Sequence, residues 1–360
     1  MATLTEWAPL GARVQQARLG RSLSQEELGK RLGIDRSAVV RIEAGSRKIS
    51  VLEMLAIAEA LAVPMAWLVE EPTPAVASHR AALDEKATAA EAQAFSAEVA
   101  LDRAARDAEL LRRAGALSPA RNVPPVHVRE AVDAQRSALD IRAHLGLGKQ
   151  PLPGMCDVAA DLGLHVSVTT EEVDGASLRI EPGLGVAIIG AHLDPGRRRM
   201  TAAHEIGHHV IGDEYSADIG VASSRDEREA AIDAFAHELL IPTAVVATVT
   251  GDTRTVLIEL AARYRVSWSA VVRTAQRSGV IDADEAQSLL ADVPVRGEIV
   301  AVTGSIVPED LTPGSTSKAW AKAVMQALRD GAISKDRAVE LLGDPSLTVA
   351  DLPDPVDHSW

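Results

Sequence analysis

The chain has 360 residues, of which 47% are hydrophobic and 24% charged, a composition typical of soluble globular protein with two or three domains. It contains no apolar run near the ~18 residues of a membrane helix and no signal-peptide pattern, and its net charge of −14 argues against a general nucleic-acid binder. Because Cys156 is the single cysteine, no internal disulfide can form, and we expect a cytoplasmic protein without a membrane partner.

Two short helices joined by a tight turn are predicted near the N-terminus. Ser24 is an N-cap residue with Glu27 three positions later, which is the pattern of a capping box. Gly33 can end this helix in the left-handed conformation, and Asp35 can cap a second helix over residues 36–44. The pattern predicts a helix-turn-helix. Further helices near residues 10–19 and 51–61 are expected to flank it in a five-helix domain. Trp67 is expected to close the core of this domain.

The same stretch differs in charge from the rest of the chain. Nine basic residues stand against four acidic ones between Leu10 and Lys48, although the whole chain carries −14. A helical protein-binding or dimerisation module is the alternative, but the basic excess favours double-stranded DNA. We expect base contacts from the second helix and phosphate contacts around it. The candidate base-contacting residues are Arg36, Ser37, Ala38 and Arg41, and the candidate phosphate-contacting residues are Gln25, Arg47 and Lys48.

A hinge and a long helical stretch follow this domain. The hinge is predicted at residues 70–74, and residues 81–116 are rich in alanine and charges. The apolar positions of this stretch are too irregular for a clear coiled coil, so it is either a spacer or a dimerising helix.

Two helices and three strands are predicted next. The helices cover residues 128–145 and 156–162, and the strands cover residues 164–168, 176–180 and 186–190. Asp174 and Gly175 form a hairpin-type turn sequence. We therefore expect a small antiparallel sheet with an edge to which an extended substrate could add as a further strand.

The most specific motif is His204-Glu205-Ile206-Gly207-His208. Residues four apart share one face of a helix, so His204 and His208 can bind one cation while Glu205 reaches a water beside it. Solvated surface side chains are the alternative, but the apolar residues between these positions predict a packed helix. His209 points about 100° away from His208, and we expect it at the surface or supporting a ligand.

A second motif supplies the remaining ligand. Glu229 lies near the start of a helix predicted over residues 227–240, and two histidines with one glutamate leave the fourth position of a tetrahedral zinc ion open. Asp233, four residues later, can accept a hydrogen bond from the outer nitrogen of a liganding histidine. Tyr215 and His237 are candidates for stabilising an oxyanion.

The C-terminal third reads as mainly helical. Residues 255–279 resemble a further helix-turn-helix, for which a structural role is favoured over a second DNA reader. A short strand is expected at residues 298–303, helices at 318–330 and 335–342, and then a disordered tail. No internal repeat is expected.

These motifs resemble two known families. Residues 10–70, with SQEELGKRLGIDRSAVVRIEAGSRK at the centre, are similar to the XRE (lambda-repressor and Cro) DNA-binding domains, and residues 128–242 resemble ImmA/IrrE metallopeptidases through RRRMTAAHEIGHHV and EREAAIDAFAHELLIP. The second resemblance implies a gluzincin-like zinc peptidase that cuts repressor proteins and so releases stress, prophage or mobile-element genes. Its ligands fall on His204, His208 and Glu229, and its general base on Glu205. Asp233 stands where that family often has asparagine.

The expected fold is multidomain: an all-α lambda-repressor-like domain, an α+β zincin (gluzincin-like) metallopeptidase domain and a mainly helical C-terminal region. The boundaries we expect are a helix-turn-helix domain at 8–70, a linker at 71–126, the peptidase domain at 127–250, a helix-turn-helix-like segment at 251–292 and the C-terminal region at 293–360.

Two functions remain open at this stage. The first is a DNA-binding zinc metalloprotease, with manganese as the alternative metal, whose substrate is a transcriptional repressor. The second is an XRE-family regulator in which the peptidase fold is a sensor or scaffold and cuts nothing. The general base at Glu205 favours the first, because a scaffold needs metal ligands but no base. Operator symmetry predicts a homodimer.

Overall fold

The computed structural model describes residues 6–70, 89–124, 126, 131–211, 222–248 and 250–354. The chain divides into two compact units, the first made of Met1–Glu109 with Glu171–Val173 and the second made of Leu110–Thr170 with Asp174–Trp360. Within the described ranges, every helix is too short or too polar to cross a membrane.

The first unit begins with five helices. They are α1 (Trp7–Gly20), α2 (Gln25–Leu32), α3 (Arg36–Glu43), α4 (Val51–Ala60) and α5 (Met65–Val69). The predicted local signals are confirmed: Ser24 and Glu27 form a reciprocal capping box, Gly33 ends α2 at φ 67°, and Asp35 accepts a hydrogen bond from the backbone of α3. The predicted closing residue, Trp67, is buried at the centre of this unit.

A sixth helix, α6 (Ala89–Arg113), follows the part of the chain that contained the predicted hinge. Residues 71–74 of that hinge lie outside the described residues. The first half of α6 packs within the first unit, where the Phe95 ring meets Trp67 edge to face at 5.4 Å between centroids. Arg106 pairs with Asp102 on the same helix and with Glu70. The first half of the helix predicted as a spacer therefore packs one of its faces against the core of the first unit.

The sheet of the second unit contains β1 (Leu164–Thr169), β2 (Gly175–Glu181) and β3 (Leu184–Gly190). Its order is β1-β3-β2, with β3 antiparallel to β2 but parallel to β1. The prediction of an antiparallel sheet was wrong. The reason is that β3 is buried along its whole length, as suits a central strand covered on both faces.

The position of the hairpin turn differs as well. Gly175 is the first residue of β2 and not a turn residue, and the turn between β2 and β3 lies at Pro182 and Gly183, with Gly183 at φ 79°. This turn makes the antiparallel pair, and the longer connection after β1 leaves that strand free to pair in parallel on the other side of β3.

Four helices share a hydrophobic core with this sheet: α7 (Ala131–His144), α8 (Met155–Asp161), α9 (Pro195–Ile211) and α10 (Ala222–Leu240). Helix α9 packs against the strands on one side and against α10 on the other, and α10 also packs against α7. Phe235 and Ile206 are fully buried where these helices meet. Both predicted motif helices are thus core elements, which restricts the motion of the side chains they carry.

The remaining chain is helical. Its helices are α11 (Thr243–Val246), α12 (Thr253–Tyr264), α13 (Trp268–Arg277), α14 (Ala283–Ala291), α15 (Arg296–Thr303), α16 (Lys318–Arg329) and α17 (Lys335–Leu342), followed by a 3-10 turn at Val349–Asp351. The strand predicted at residues 298–303 is wrong, because these residues belong to α15. The two carboxylate oxygens of Glu298 accept hydrogen bonds from Nε and Nη2 of Arg254 at 2.6 and 2.9 Å. Gly304 ends the helix in the left-handed conformation.

A repeat that the sequence analysis missed occurs within this helical region. The pair α13–α14 and the pair α16–α17 align without gaps from WSAVVRTAQRSGVIDADEAQSLL to WAKAVMQALRDGAISKDRAVELL, with ten identical residues in 23. In each pair the tryptophan indole donates to a leucine carbonyl on the second helix: Trp268 to Leu289 at 2.7 Å and Trp320 to Leu341 at 2.8 Å. The expectation of no internal repeat was therefore wrong.

Candidate metal centre

Two helices bring three potential ligands together. His204 and His208 lie four residues apart on α9, and Glu229 reaches them from α10. The Nε2 atoms of the two histidines are 3.0 Å apart, and Oε2 of Glu229 lies 3.3 Å from that of His204 and 3.8 Å from that of His208. Ligand atoms about 2.1 Å from a tetrahedral ion are about 3.4 Å from one another. The donor set and its spacing fit a divalent ion such as zinc.

Asp233 orients the first of these histidines. Its Oδ1 atom lies 2.8 Å from Nδ1 of His204, so Nδ1 carries the proton in this contact and Nε2 keeps its lone pair toward the other ligands. Burial would lower the pKa of His204, but the hydrogen bond to Asp233 and the charge of Glu205 outweigh it, and the pKa rises. The same hydrogen bond lowers the pKa of Asp233.

Glu205 follows His204 on α9, and its carboxylate interacts electrostatically with His204 and Glu229. The residue is buried, with 7% of its surface exposed. Burial raises the pKa of its carboxyl group, and a hydrogen bond from Ser177 on β2 opposes this rise. Gly175, also on β2, allows the close approach of strand and helix, since a Cβ atom there would lie 2.3 Å from Cγ2 of Thr201. The edge strand β2 therefore runs alongside the carboxylate. The contact between Ser177 and Glu205 was not predicted, because no local sequence pattern indicates it.

Two other histidines lie near the motif. His209 is buried, not at the surface, and its Nε2 donates to the carbonyl of Leu162 at 3.2 Å. Burial lowers the pKa of His209 to about 4, and burial together with Arg277 does the same for His237 on α10. Both are therefore neutral near pH 7. The other oxyanion candidate, Tyr215, lies outside the described residues.

The predicted DNA-binding residues lie on or around α3. Arg36, Ser37 and Arg41 are exposed, whereas Ala38 is 6% exposed. The prediction that Ala38 faces outward was wrong, because Ala38 lies one helical turn before the buried Ile42 and shares its face. An exposed residue that the sequence analysis passed over, Val40, shares the face of Arg36.

The candidate phosphate-contacting residues have different surroundings. Lys48 is exposed, and Arg47 forms an ion pair with Glu53. The side-chain amide of Gln25 donates to Glu43 of α3 at 2.9 Å, and Glu43 is itself held by Arg18. Gln25 is therefore tied to the helix that carries the candidate base-contacting residues.

Comparison with known proteins gives two family matches. Residues 159–276 match the family model described as the IrrE N-terminal-like domain, peptidase family M78, and residues 14–68 match a helix-turn-helix model. No curated protein and no solved structure matches the chain significantly.

Proposed function

Because the chain joins an XRE-type helix-turn-helix domain to an IrrE-like domain of a metallopeptidase family, we propose that it is a DNA-binding regulator that hydrolyses a peptide bond in a transcriptional repressor. One observation carries this proposal: the buried carboxylate of Glu205 lies beside three donors at the spacing of metal ligands. A protein that used the metal only as a scaffold would need the donors but not this carboxylate.

His204, His208 and Glu229 would hold the metal, for which their nitrogen and oxygen atoms suit zinc, with manganese as the alternative. Bound zinc supplies a Lewis acid that polarises a peptide carbonyl and makes water more acidic. Asp233 keeps the ring of His204 in the liganding orientation through its 2.8 Å contact with Nδ1.

Glu205 performs the proton transfers. Its carboxylate removes a proton from the attacking water and delivers it to the nitrogen of the departing amine. Burial raises the pKa of this carboxyl group above the usual value of a glutamate, which makes its carboxylate a stronger base. The hydrogen bond from Ser177 favours the ionised form, which is the form that accepts the proton.

The substrate lies along β2. In the order β1-β3-β2 this strand is at the edge of the sheet, so the backbone groups on its outer side can pair with an extended peptide. Because Ser177 and Gly175 of β2 adjoin Glu205, a peptide paired with this strand passes the candidate base.

The helix-turn-helix domain brings this chemistry to DNA. Arg36, Ser37 and Arg41 contact base edges in the major groove, and Gln25, Arg47 and Lys48 contact phosphates. Binding near an operator raises the local concentration of the peptidase around a promoter-bound repressor. Release of the repressed stress or mobile-element genes follows cleavage, and a symmetric operator calls for a homodimer.

The deciding experiment compares wild type with Glu205→Gln, each co-expressed with candidate small repressors, one at a time. We expect wild type to cut one repressor and Glu205→Gln to cut it about 10²- to 10⁴-fold more slowly while keeping its metal and DNA binding. Glu227→Gln, at an exposed position on α10, is the matched control, and we expect it to cut the repressor at the wild-type rate. Identical products and identical regulation in wild type and Glu205→Gln would support the scaffold alternative.

A further inference from the structure

One face of α3 is exposed, and the exposed surface continues to Ala44, the residue that follows the helix. Its residues follow a helical repeat, with Arg36 and Ser37 in the first turn, Val40 and Arg41 in the second, and Ala44 at the end. Within this face Val40 has 41% of its surface exposed. A large apolar side chain therefore lies in the middle of the helix surface that we assign to base contacts.

Val40 is not needed to pack the domain. The core positions of α3 are filled by its neighbours Val39 and Ile42, which are 0% and 2% exposed. The hydrophobic core of this unit is formed without Val40. Its side chain is thus available to gain free energy from contact with a partner that removes it from water.

The groups around Val40 indicate what kind of partner fits. Arg36 lies one turn before it and Arg41 directly follows it, and neither arginine forms an ion pair with a carboxylate in the described part of the chain. Asp35, the N-cap residue of α3, accepts hydrogen bonds from Ser37 and from the backbone of Ala38. Glu43, the acid within α3, is buried and paired with Arg18. The face therefore offers two cations and one large apolar side chain, together with the small Ala44 and a Ser37 hydroxyl that donates to Asp35. These groups complement an anionic surface with an isolated apolar group.

The DNA major groove has these properties. It lies between two rows of phosphates and presents guanine acceptors to arginine, and its one apolar feature is the C5-methyl group of thymine. We propose that Val40 reads a thymine methyl group in the operator, next to the bases that Arg36 and Arg41 contact. This inference rests on the DNA binding proposed above and adds a base identity to it.

The test starts with a DNA site selected by the full-length wild-type protein from random duplexes. Each thymine of that site is then replaced in turn by deoxyuridine, which lacks the methyl group and keeps the hydrogen-bonding pattern. Affinity is measured for wild type, Val40→Ala and Val51→Ala. Val51 is a matched control, an exposed valine on α4 with 72% of its surface accessible.

We expect one thymine at which deoxyuridine weakens wild-type binding about three- to fivefold, the size expected for one buried methyl group. Val40→Ala weakens binding to the unmodified site by a similar factor and is insensitive to deoxyuridine at that thymine. Val51→Ala behaves like wild type at every position.

Equal responses of wild type and Val40→Ala to every replacement overturn the assignment of Val40 while leaving DNA binding intact. Failure to select any sequence overturns the proposed DNA binding itself, and the role of Val40 with it. The two failures are distinguishable because the first gives a defined site and the second gives none.

Discussion

At the scale of single residues, Asp233 pairs with His204, one of the three candidate metal ligands. The contact of 2.8 Å fixes which nitrogen of the ring is protonated. We expect Asp233→Asn to weaken zinc binding about 10- to 100-fold, because the hydrogen-bonded charge that orients His204 and raises its basicity is lost. Competition with a chromogenic chelator measures this affinity.

The matched control for this change is Glu227→Gln, which removes a charge from the exposed side of the same helix. A general electrostatic effect would weaken zinc binding in both variants alike. An unchanged zinc affinity in Asp233→Asn would contradict the orienting role of this carboxylate.

Another single residue, His165 on β1, makes stability depend on pH. It is 7% exposed, its ring lies 5.5 Å from that of Trp320, and burial lowers its pKa from 6.5 to about 4. Because the folded-state pKa is the lower one, the unfolded chain binds the proton first on acidification. We therefore expect the contribution of His165 to stability to be complete above pH 6.5 and to be lost between pH 6.5 and about 4.

Urea unfolding of the second unit at several pH values tests this expectation. His165→Gln should lose less stability than wild type on acidification from pH 7 to 4, by a difference of up to about 3 kcal/mol. His144→Gln, at an exposed position, should follow the wild-type profile. Parallel profiles for wild type and His165→Gln would show that this histidine is not held neutral by the fold.

At the scale of elements, the repeated helix pairs α13–α14 and α16–α17 share one stabilising contact. Trp268 and Trp320 each join the first helix of their pair to a leucine carbonyl of the second. A change to phenylalanine keeps an aromatic ring but removes the indole donor. We expect Trp268→Phe and Trp320→Phe each to lower the free energy of unfolding by about 1 kcal/mol.

Urea denaturation of the single variants and of the double variant measures these losses. Trp7→Phe, at a residue 38% exposed on α1, serves as the control and should change stability little. If only one of the two tryptophan changes lowered the free energy of unfolding, the same hydrogen bond would stabilise one helix pair and not the other.

At the scale of the whole molecule, residues beyond the matched peptidase segment hold the helix that carries His204 and His208 in place. Asp310 pairs with Arg199 near the start of α9 and accepts a hydrogen bond from the backbone of Met155 at 3.1 Å. Arg198 donates to the carbonyl of Leu311 at 2.7 Å. The start of α9 is therefore anchored by a segment roughly a hundred residues later, although the family match ends at residue 276.

Breaking this anchor should destabilise the second unit. Arg199 is 1% exposed, and burial lowers its pKa to about 10, so it stays charged near neutral pH. Asp310→Asn leaves that charge buried without its carboxylate, and we expect a loss of about 3 to 5 kcal/mol. Thermal unfolding and zinc affinity of Asp310→Asn are the measurements, and Asp330→Asn, at an exposed position, is the control. A stability of Asp310→Asn equal to that of wild type would contradict this expectation.

Local features of this protein follow from short stretches of sequence. Caps such as Ser24 and Gly33 act on backbone groups a few residues away, and the spacing of His204 and His208 is set by one turn of helix. The order of the two domains can likewise be predicted from the sequence, because each domain contains a local motif. The recurrence of the tryptophan helix pairs was also present in the sequence, in ten shared positions that were overlooked.

Long-range features required the folded chain. The parallel pairing of β1 with β3 depends on which strand can be buried on both faces. The contact of Ser177 with Glu205, and that of Asp310 with Arg199, join residues that share no local pattern. Hydrogen bonds between near neighbours follow from backbone geometry, whereas contacts between distant residues depend on how all the elements pack at once, and short patterns in the chain do not encode that packing.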